Sequence, residues 1–133
     1  MTDKIRIFFD IDDTLTVWNP NRDYENFEPI PEMIEKVNEL YDLGFEITLF
    51  TARGMTSCGP EKISTEIIPG MVKNLEKNGV KYHNLITHKP SYDLLVDDKA
   101  LRPKDFSFLY DKIKSSDKKQ LSKLLKSSIT NKI

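Results

Sequence analysis

Ile5-Arg6-Ile7-Phe8-Phe9-Asp10-Ile11-Asp12-Asp13-Thr14-Leu15 opens with a short β-rich run, Ile5 to Phe9, and ends in a cluster of acids. Side chains alternate faces along a strand, so Asp10 and Asp12 are expected to point to the same side and to address one reacting centre. On these residues alone, solvated turn acids after a strand remain the plain alternative. Outward from this stretch, Pro31 is placed as a first-turn residue of a helix in which Ile34, Val37, Leu40 and Tyr41 share a face, and Gly44 is placed to end it. Phe45 to Phe50 reads as a buried strand running into Thr51. A second helical stretch from Pro60 to Asn78 stops at Gly79, with Pro69-Gly70 interrupting or kinking it.

Apolar segments at Tyr82 to Thr87 and at Leu94 to Val96 complete a β-α-β-α-β-β order. Strands separated by helices favour a parallel, three-layer α/β sheet, because parallel neighbours need crossover connections. Ligands of such sheets bind beyond the carboxyl ends of the strands. Each chemically suggestive cluster follows an expected strand: Asp10-Ile11-Asp12, Thr51-Ala52-Arg53, Lys89-Pro90 and Asp97-Asp98.

The 133 residues, 38% of them hydrophobic, suffice for one core and leave little for a second. The expected organisation is one domain, residues 1–111 as its core and 112–133 as a basic amphipathic helix or tail of the same domain. In that tail Leu121, Leu124, Leu125 and Ile129 recur at helical spacing between lysines. From Lys112 to Ile133 there are seven Lys against Asp117 alone, so a net charge of -1 hides an acidic body and a basic end. The favoured reading of that end is a solvated lysine face, with nucleic acid not expected as a partner. No apolar run approaches the ~20 residues of a membrane span, and no signal-like segment opens the chain, so a soluble, cytoplasmic protein is expected. A single cysteine, Cys58, excludes an internal disulfide and fits a reducing compartment.

Carboxylates converging at one end of a sheet repel each other unless a cation joins them. Oxygen ligands without His or Cys nearby suit Mg²⁺, which uses one or two carboxylates, retained waters and a substrate phosphate. Thr51 offers a neutral hydroxyl donor and Lys89 a positive charge, both suited to phosphoryl oxygens. Either residue alone is more often a strand end or a surface lysine.

The ordered set Asp10-Ile11-Asp12-Asp13-Thr14-Leu15, Thr51, Lys89 and Asp97-Asp98 strongly resembles the four motifs of the haloacid dehalogenase-like phosphatase superfamily, over about residues 5 to 103. Tyr41-Asp-Leu-Gly-Phe, Phe50-Thr-Ala-Arg-Gly-Met, Gly79-Val-Lys-Tyr-His and Tyr92-Asp-Leu-Leu-Val-Asp-Asp-Lys-Ala look like its small capsular-polysaccharide-biosynthesis branch. The resemblance implies a Rossmann-like fold with a flap hairpin. It makes Asp10 the nucleophile that becomes aspartyl-phosphate, and Asp12 the acid and then the base. Mg²⁺ would be bound by the Asp10 carboxylate, the Asp12 backbone carbonyl and Asp97, with Asp98 holding metal waters or Lys89. Asp13 departs from the glycine many relatives carry there, which touches the turn geometry and not the chemistry. Asp12 argues against dehalogenation, which needs no acid in that place. The 36 residues between Thr14 and Thr51 and the 37 between Thr51 and Lys89 leave no room for a cap domain.

Without a cap, the segment Thr16 to Pro29 is the candidate for substrate choice, holding Trp18, Asn19, Asn21, Arg22, Asp23, Tyr24, Asn26 and Phe27. Aromatics among amides suit a sugar ring, and an ordinary polar hairpin with Trp18 packed on the body is the competing reading. Trp18, Tyr24, Arg53 and Lys99 are the candidate substrate-binding residues; Arg53 would reach a second anionic group. His83 and His88 read as strand-end or surface histidines. The expected partner is a small phosphate ester from surface-polysaccharide assembly. A deoxyribonucleotidase-like enzyme and a catalytically silent nucleic-acid-binding scaffold are the alternatives, and a homo-oligomer is left open because capless relatives often complete their sites with adjacent protomers.

Overall fold

A computed structural model describes residues 5–21, 23–56 and 58–115; the side chains of residues 24 and 112–115 lie outside the description. The expected amphipathic tail, Leu121 to Ile129, and Arg22 of the candidate substrate segment lie outside the described residues. The chain divides into two compact units, Met1–Ser91 and Tyr92–Ile133.

The first unit is built on a parallel three-stranded sheet in the order β1 (Arg6–Asp10), β2 (Glu46–Phe50), β3 (Asn84–Ile86). Register pairs Asp10 with Phe50 and Phe50 with Ile86, so all three carboxyl ends lie level. The apolar side chains of β2 explain its central place: Ile47 and Leu49 are fully buried, and Phe9 of β1 nearly so. Each crossover carries a helix, as parallel pairing requires. Helix α1 (Pro31–Asp42) buries Met33, Ile34, Val37 and Leu40, the stripe expected of a helix with one face to the core.

Both crossover helices stop in the same way. After α1 the chain turns through Gly44 at φ +99°, Gly44 N–H donating to Tyr41 O at 3.1 Å and Phe45 N–H to Leu40 O at 3.1 Å. After α2 (Ile68–Lys77), Gly79 sits at φ +69°, with Gly79 N–H donating to Glu76 O at 3.1 Å and Val80 N–H to Leu75 O at 3.0 Å. This paired bonding satisfies carbonyls the helix leaves open, and it needs a left-handed residue that only glycine supplies without strain.

The helical stretch beginning at Pro60 is not continuous α-helix. It opens as a 3₁₀ turn (Pro60–Lys62), widens to a π turn (Ile63–Ile67) and becomes α2 only at Ile68. Proline lacks an N–H and crowds the carbonyl four residues back, so the regular ladder cannot run through Pro69. The chain responds by donating Ile68 N–H to Ile63 O, five residues back. Pro69 then falls in the first turn of α2, where its missing donor costs nothing.

In the second unit, the expected fourth strand is absent. Leu94, Leu95 and Val96 are 73%, 51% and 88% exposed, and they form no ladder among the described residues. An apolar run becomes a strand only where a neighbour takes its N–H and C=O groups, and composition alone does not supply that neighbour. Helix α3 (Pro103–Ser115) follows, with Phe106, Leu109 and Tyr110 buried. No helix among the described residues is long and apolar enough to cross a membrane.

Candidate active site at the carboxyl end of the sheet

Asp10 is the last residue of β1, where the ladder ends and its carboxylate stands at the rim, 42% exposed. Lys89 Nζ approaches Asp10 Oδ1 at 3.6 Å and lies 5.5 Å from the centroid of the Phe50 ring. Burial raises the Asp10 pKa above the usual carboxylate value of 3.8; Lys89 opposes the shift and neighbouring Asp12 adds to it. Among the described residues, the cost of burying the Asp10 charge outweighs what Lys89 gives back.

Lys89 owes its place to backbone bonds. Its N–H donates to Thr51 O at 3.1 Å, and Thr51 N–H donates to Ile86 O at 3.0 Å, so the loop after β3 is laid along the end of β2. His88, at φ +67°, makes the turn immediately before it, and its Nε2 is bonded to Pro60 O at 2.9 Å. A carbonyl can only accept, so Nε2 carries the proton of that bond.

Asp12 faces a different partner. Arg53 Nε donates to Asp12 Oδ1 at 2.9 Å and Oδ2 at 3.1 Å, and a terminal guanidinium nitrogen also lies 2.9 Å from Oδ1. The same nitrogen donates to Thr16 Oγ1 at 3.0 Å, and the guanidinium carbon sits 4.4 Å from the centre of the Phe27 ring. The Arg53 side chain is only 1% exposed. Its own backbone N–H donates to Thr51 Oγ1 at 3.1 Å, so the buried Thr51 holds the Arg53 loop with its hydroxyl and the Lys89 loop with its carbonyl.

The segment Thr16 to Pro29 leaves and returns as an antiparallel pair: Thr16 bridges Pro29, Val17 N–H donates to Glu28 O at 2.8 Å, and Ile30 N–H to Leu15 O at 2.7 Å. Asn74 of α2 donates both amide hydrogens to this segment, to Glu25 O at 3.1 Å and Phe27 O at 3.0 Å. Trp18 packs edge-on against Phe27 with ring centroids 5.8 Å apart, while its backbone N–H donates to Asp13 Oδ1. It is 39% exposed, so part of the indole faces solvent.

The structure thus brings Asp10, Asp12, Thr51, Arg53 and Lys89 into one bonded neighbourhood, with Trp18 on the adjoining segment. The Tyr24 side chain lies outside the described residues. Asp97, Asp98 and Lys99 belong to the second unit, where they are exposed and Asp97 Oδ1 accepts from Lys99 N–H at 3.1 Å. Among the described residues, no group of three or more His, Cys, Asp or Glu stands together in metal-binding geometry. A groove of about 420 Å³ runs along α1, lined by Glu35, Asn38, Glu39 and Asp42 among others, and none of the five residues of this neighbourhood lines it. The rim around Asp10 is the better candidate, because it holds an anion whose burial is incompletely offset and the cation paired with it.

Two contributors were not singled out from sequence. Asn74 interrupts the apolar face of α2 beside Met71 and Leu75, and an amide at such a position signals a buried backbone partner. Thr16 carries no comparable mark, since its partner Arg53 is 37 residues away.

The fold and site define an α/β protein with titratable groups gathered where the strands of a parallel sheet end. A target protein from Vibrio cholerae, solved by crystallography, is similar to this chain, with a TM-score of 0.74 and 30% identity over 92% of this chain and 98% of its own. At that identity and coverage, the chain belongs to the same family as the Vibrio cholerae protein. No family model matches the chain, and neither does any curated protein.

Proposed function

We propose that this protein is a Mg²⁺-dependent phosphomonoester hydrolase that works through a phosphorylated Asp10. The observation that carries the reading is the Asp10–Lys89 pair: a reachable carboxylate at a strand end, raised in pKa by burial, with an ammonium 3.6 Å away. The motif resemblance supports the same assignment, and on it we also propose a capless, three-layer haloacid dehalogenase-like fold in which the segment from Thr16 to Pro29 serves as the flap.

In the first step an Asp10 carboxylate oxygen attacks phosphorus, the ester P–O bond breaks, and Asp12 delivers a proton to the departing oxygen. In the second, water attacks the same phosphorus and Asp12 takes its proton. The bond to Asp10 then breaks, releasing inorganic phosphate. Lys89 balances phosphoryl charge that would otherwise repel the anionic nucleophile, and the Thr51 hydroxyl is the neutral donor.

The donors fit a hard divalent cation: they are oxygens, and the burial of the Asp10 charge is incompletely offset by Lys89. Asp10 and the Asp12 backbone carbonyl would hold Mg²⁺; the motif resemblance alone would add Asp97 to the ligands, with Asp98 holding metal waters. Bound there, the ion would neutralise charge on the phosphoryl oxygens. The substrate class we favour is a sugar phosphate or related intermediate of surface or capsular polysaccharide synthesis, supported by Trp18 and the amides of its segment.

The test is phosphate release from p-nitrophenyl phosphate with and without Mg²⁺, wild type against Asp10→Asn at matched folding. Metal-dependent turnover lost in the variant supports the reading, whereas turnover surviving in Asp10→Asn removes the nucleophile. A panel of sugar phosphates against nucleoside monophosphates then decides the substrate class, and a preference for nucleotides overturns the sugar assignment.

A further inference from the structure

We infer that Arg53, rather than reaching the substrate, is the positioning residue that holds Asp12 for the second step, hydrolysis of the phosphorylated Asp10; this rests on the phosphatase reading above.

Four observations carry it. Arg53 is 1% exposed in its side chain, so its guanidinium is closed off from solvent. Its Nε–H is shared between the two oxygens of Asp12, at 2.9 and 3.1 Å, and a terminal nitrogen lies 2.9 Å from Oδ1, so two guanidinium nitrogens hold the carboxylate where a single contact would let it turn. The guanidinium is itself held, by Thr16 Oγ1 at 3.0 Å and by the Phe27 ring at 4.4 Å. Phe27 is held in turn through its carbonyl by Asn74 of α2. A continuous run of contacts therefore extends from a helix of the core to the Asp12 carboxylate.

The remaining side is closed by the backbone. Gly54, next in the chain at φ +83°, lies so near the π turn that a Cβ there would stand 2.8 Å from Ile67 Cγ1 and 2.9 Å from Ile63 Cγ1. Arg53 is thus gripped at its backbone and at its guanidinium. General bases work only when they point at the proton they remove, and a displacement of about 1 Å costs on the order of 10²-fold in rate. Lysine at this position would keep the charge and lose the fork.

Step-resolved kinetics with p-nitrophenyl phosphate, an activated ester whose leaving group needs little protonation, test this directly. Wild type, Arg53→Met and Arg53→Lys would be compared at matched circular dichroism. We expect Arg53→Met to release a burst of p-nitrophenol approaching one equivalent per protein and then to turn over about 10²-fold slower than wild type, as phosphorylated protein accumulates. Arg53→Lys, the variant to rely on where Arg53→Met does not fold, should show the same burst with a smaller fall.

A merely structural role would lower burst amplitude and steady rate together, and that proportional loss in both variants overturns the inference. So does a wild-type steady rate in either. If wild type itself releases no phosphate from any ester, the phosphatase reading falls and takes this inference with it. Turnover in wild type without the burst in the variants removes the inference alone.

Discussion

Ile47 and His83 bond to each other twice: Ile47 N–H donates to His83 Nδ1 at 3.0 Å, and His83 N–H donates to Ile47 O at 2.9 Å. The imidazole also stacks on Tyr41, with ring centroids 4.5 Å apart and planes 23° from parallel. A side chain here completes the ladder of β2 just before β3 begins, and it joins the sheet to α1. His83→Ala leaves the Ile47 N–H without its acceptor and should cost about 1–3 kcal/mol in urea denaturation. A loss below about 0.5 kcal/mol, the range of an ordinary surface substitution, would show that water replaces the ring.

Asp10 sets a pH dependence of stability. Its folded pKa lies above the unfolded one because of burial, so the stabilisation from its proton is complete below the unfolded value of about 3.8 and is lost as pH rises through the folded value. Metal-free Asp10→Asn should therefore melt above wild type at neutral pH, and the gap should close on acidification below pH ~4. Mg²⁺ should reverse the order by raising the melting temperature of wild type and not that of the variant. A metal-free variant that melts below wild type at pH 7 refutes the sign.

Gly54→Ala meets two obstacles at once, a left-handed backbone and the Ile63 and Ile67 side chains under 3 Å from the new methyl. Strain of the backbone costs about 1–2 kcal/mol and crowding a further 1–3. Thermal or urea denaturation should find about 2–5 kcal/mol lost, with activity falling further than stability because Arg53 is adjacent. Full activity in a folded Gly54→Ala protein would contradict that coupling.

Asn74→Ala removes the two donors that hold Glu25 O and Phe27 O, at about 1–3 kcal/mol. Trp18 is the one tryptophan in the chain and packs on Phe27, so it reports on that segment. Its emission should shift to the red and become more accessible to acrylamide. An unchanged spectrum would mean that the bridge at Thr16 and Pro29 holds the segment by itself.

Much of the first unit could be read from local pattern. The stripe through Ile34, Val37 and Leu40, the proline opening α1 and the glycines closing both helices are features of short range, and each appears where chain chemistry requires. The π turn was not legible, because whether Ile68 donates four or five residues back depends on how Pro69 and the core settle together. Leu94 to Val96 misled because a continuous apolar run marks capacity for burial, while pairing needs a partner strand. Asp10, Thr51 and Lys89 could be picked out because each follows a strand. The commitment of Arg53 to Asp12 could not, since 41 residues separate them and only the folded chain makes them neighbours.

The level ends of the three strands make the candidate site sensitive to counting. Along β1, Phe9 is buried while Asp10 stands at the rim, one position further on the opposite face. Adding one residue ahead of Arg6 leaves that alternation untouched. Adding one between Arg6 and Asp10 leaves two outcomes: a bulge absorbs it, or every following side chain changes sides, which delivers a carboxylate into the core and a phenylalanine to the rim. For this protein, strand alignment decides which side chains the rim presents, and length variation among relatives should be confined to the turns.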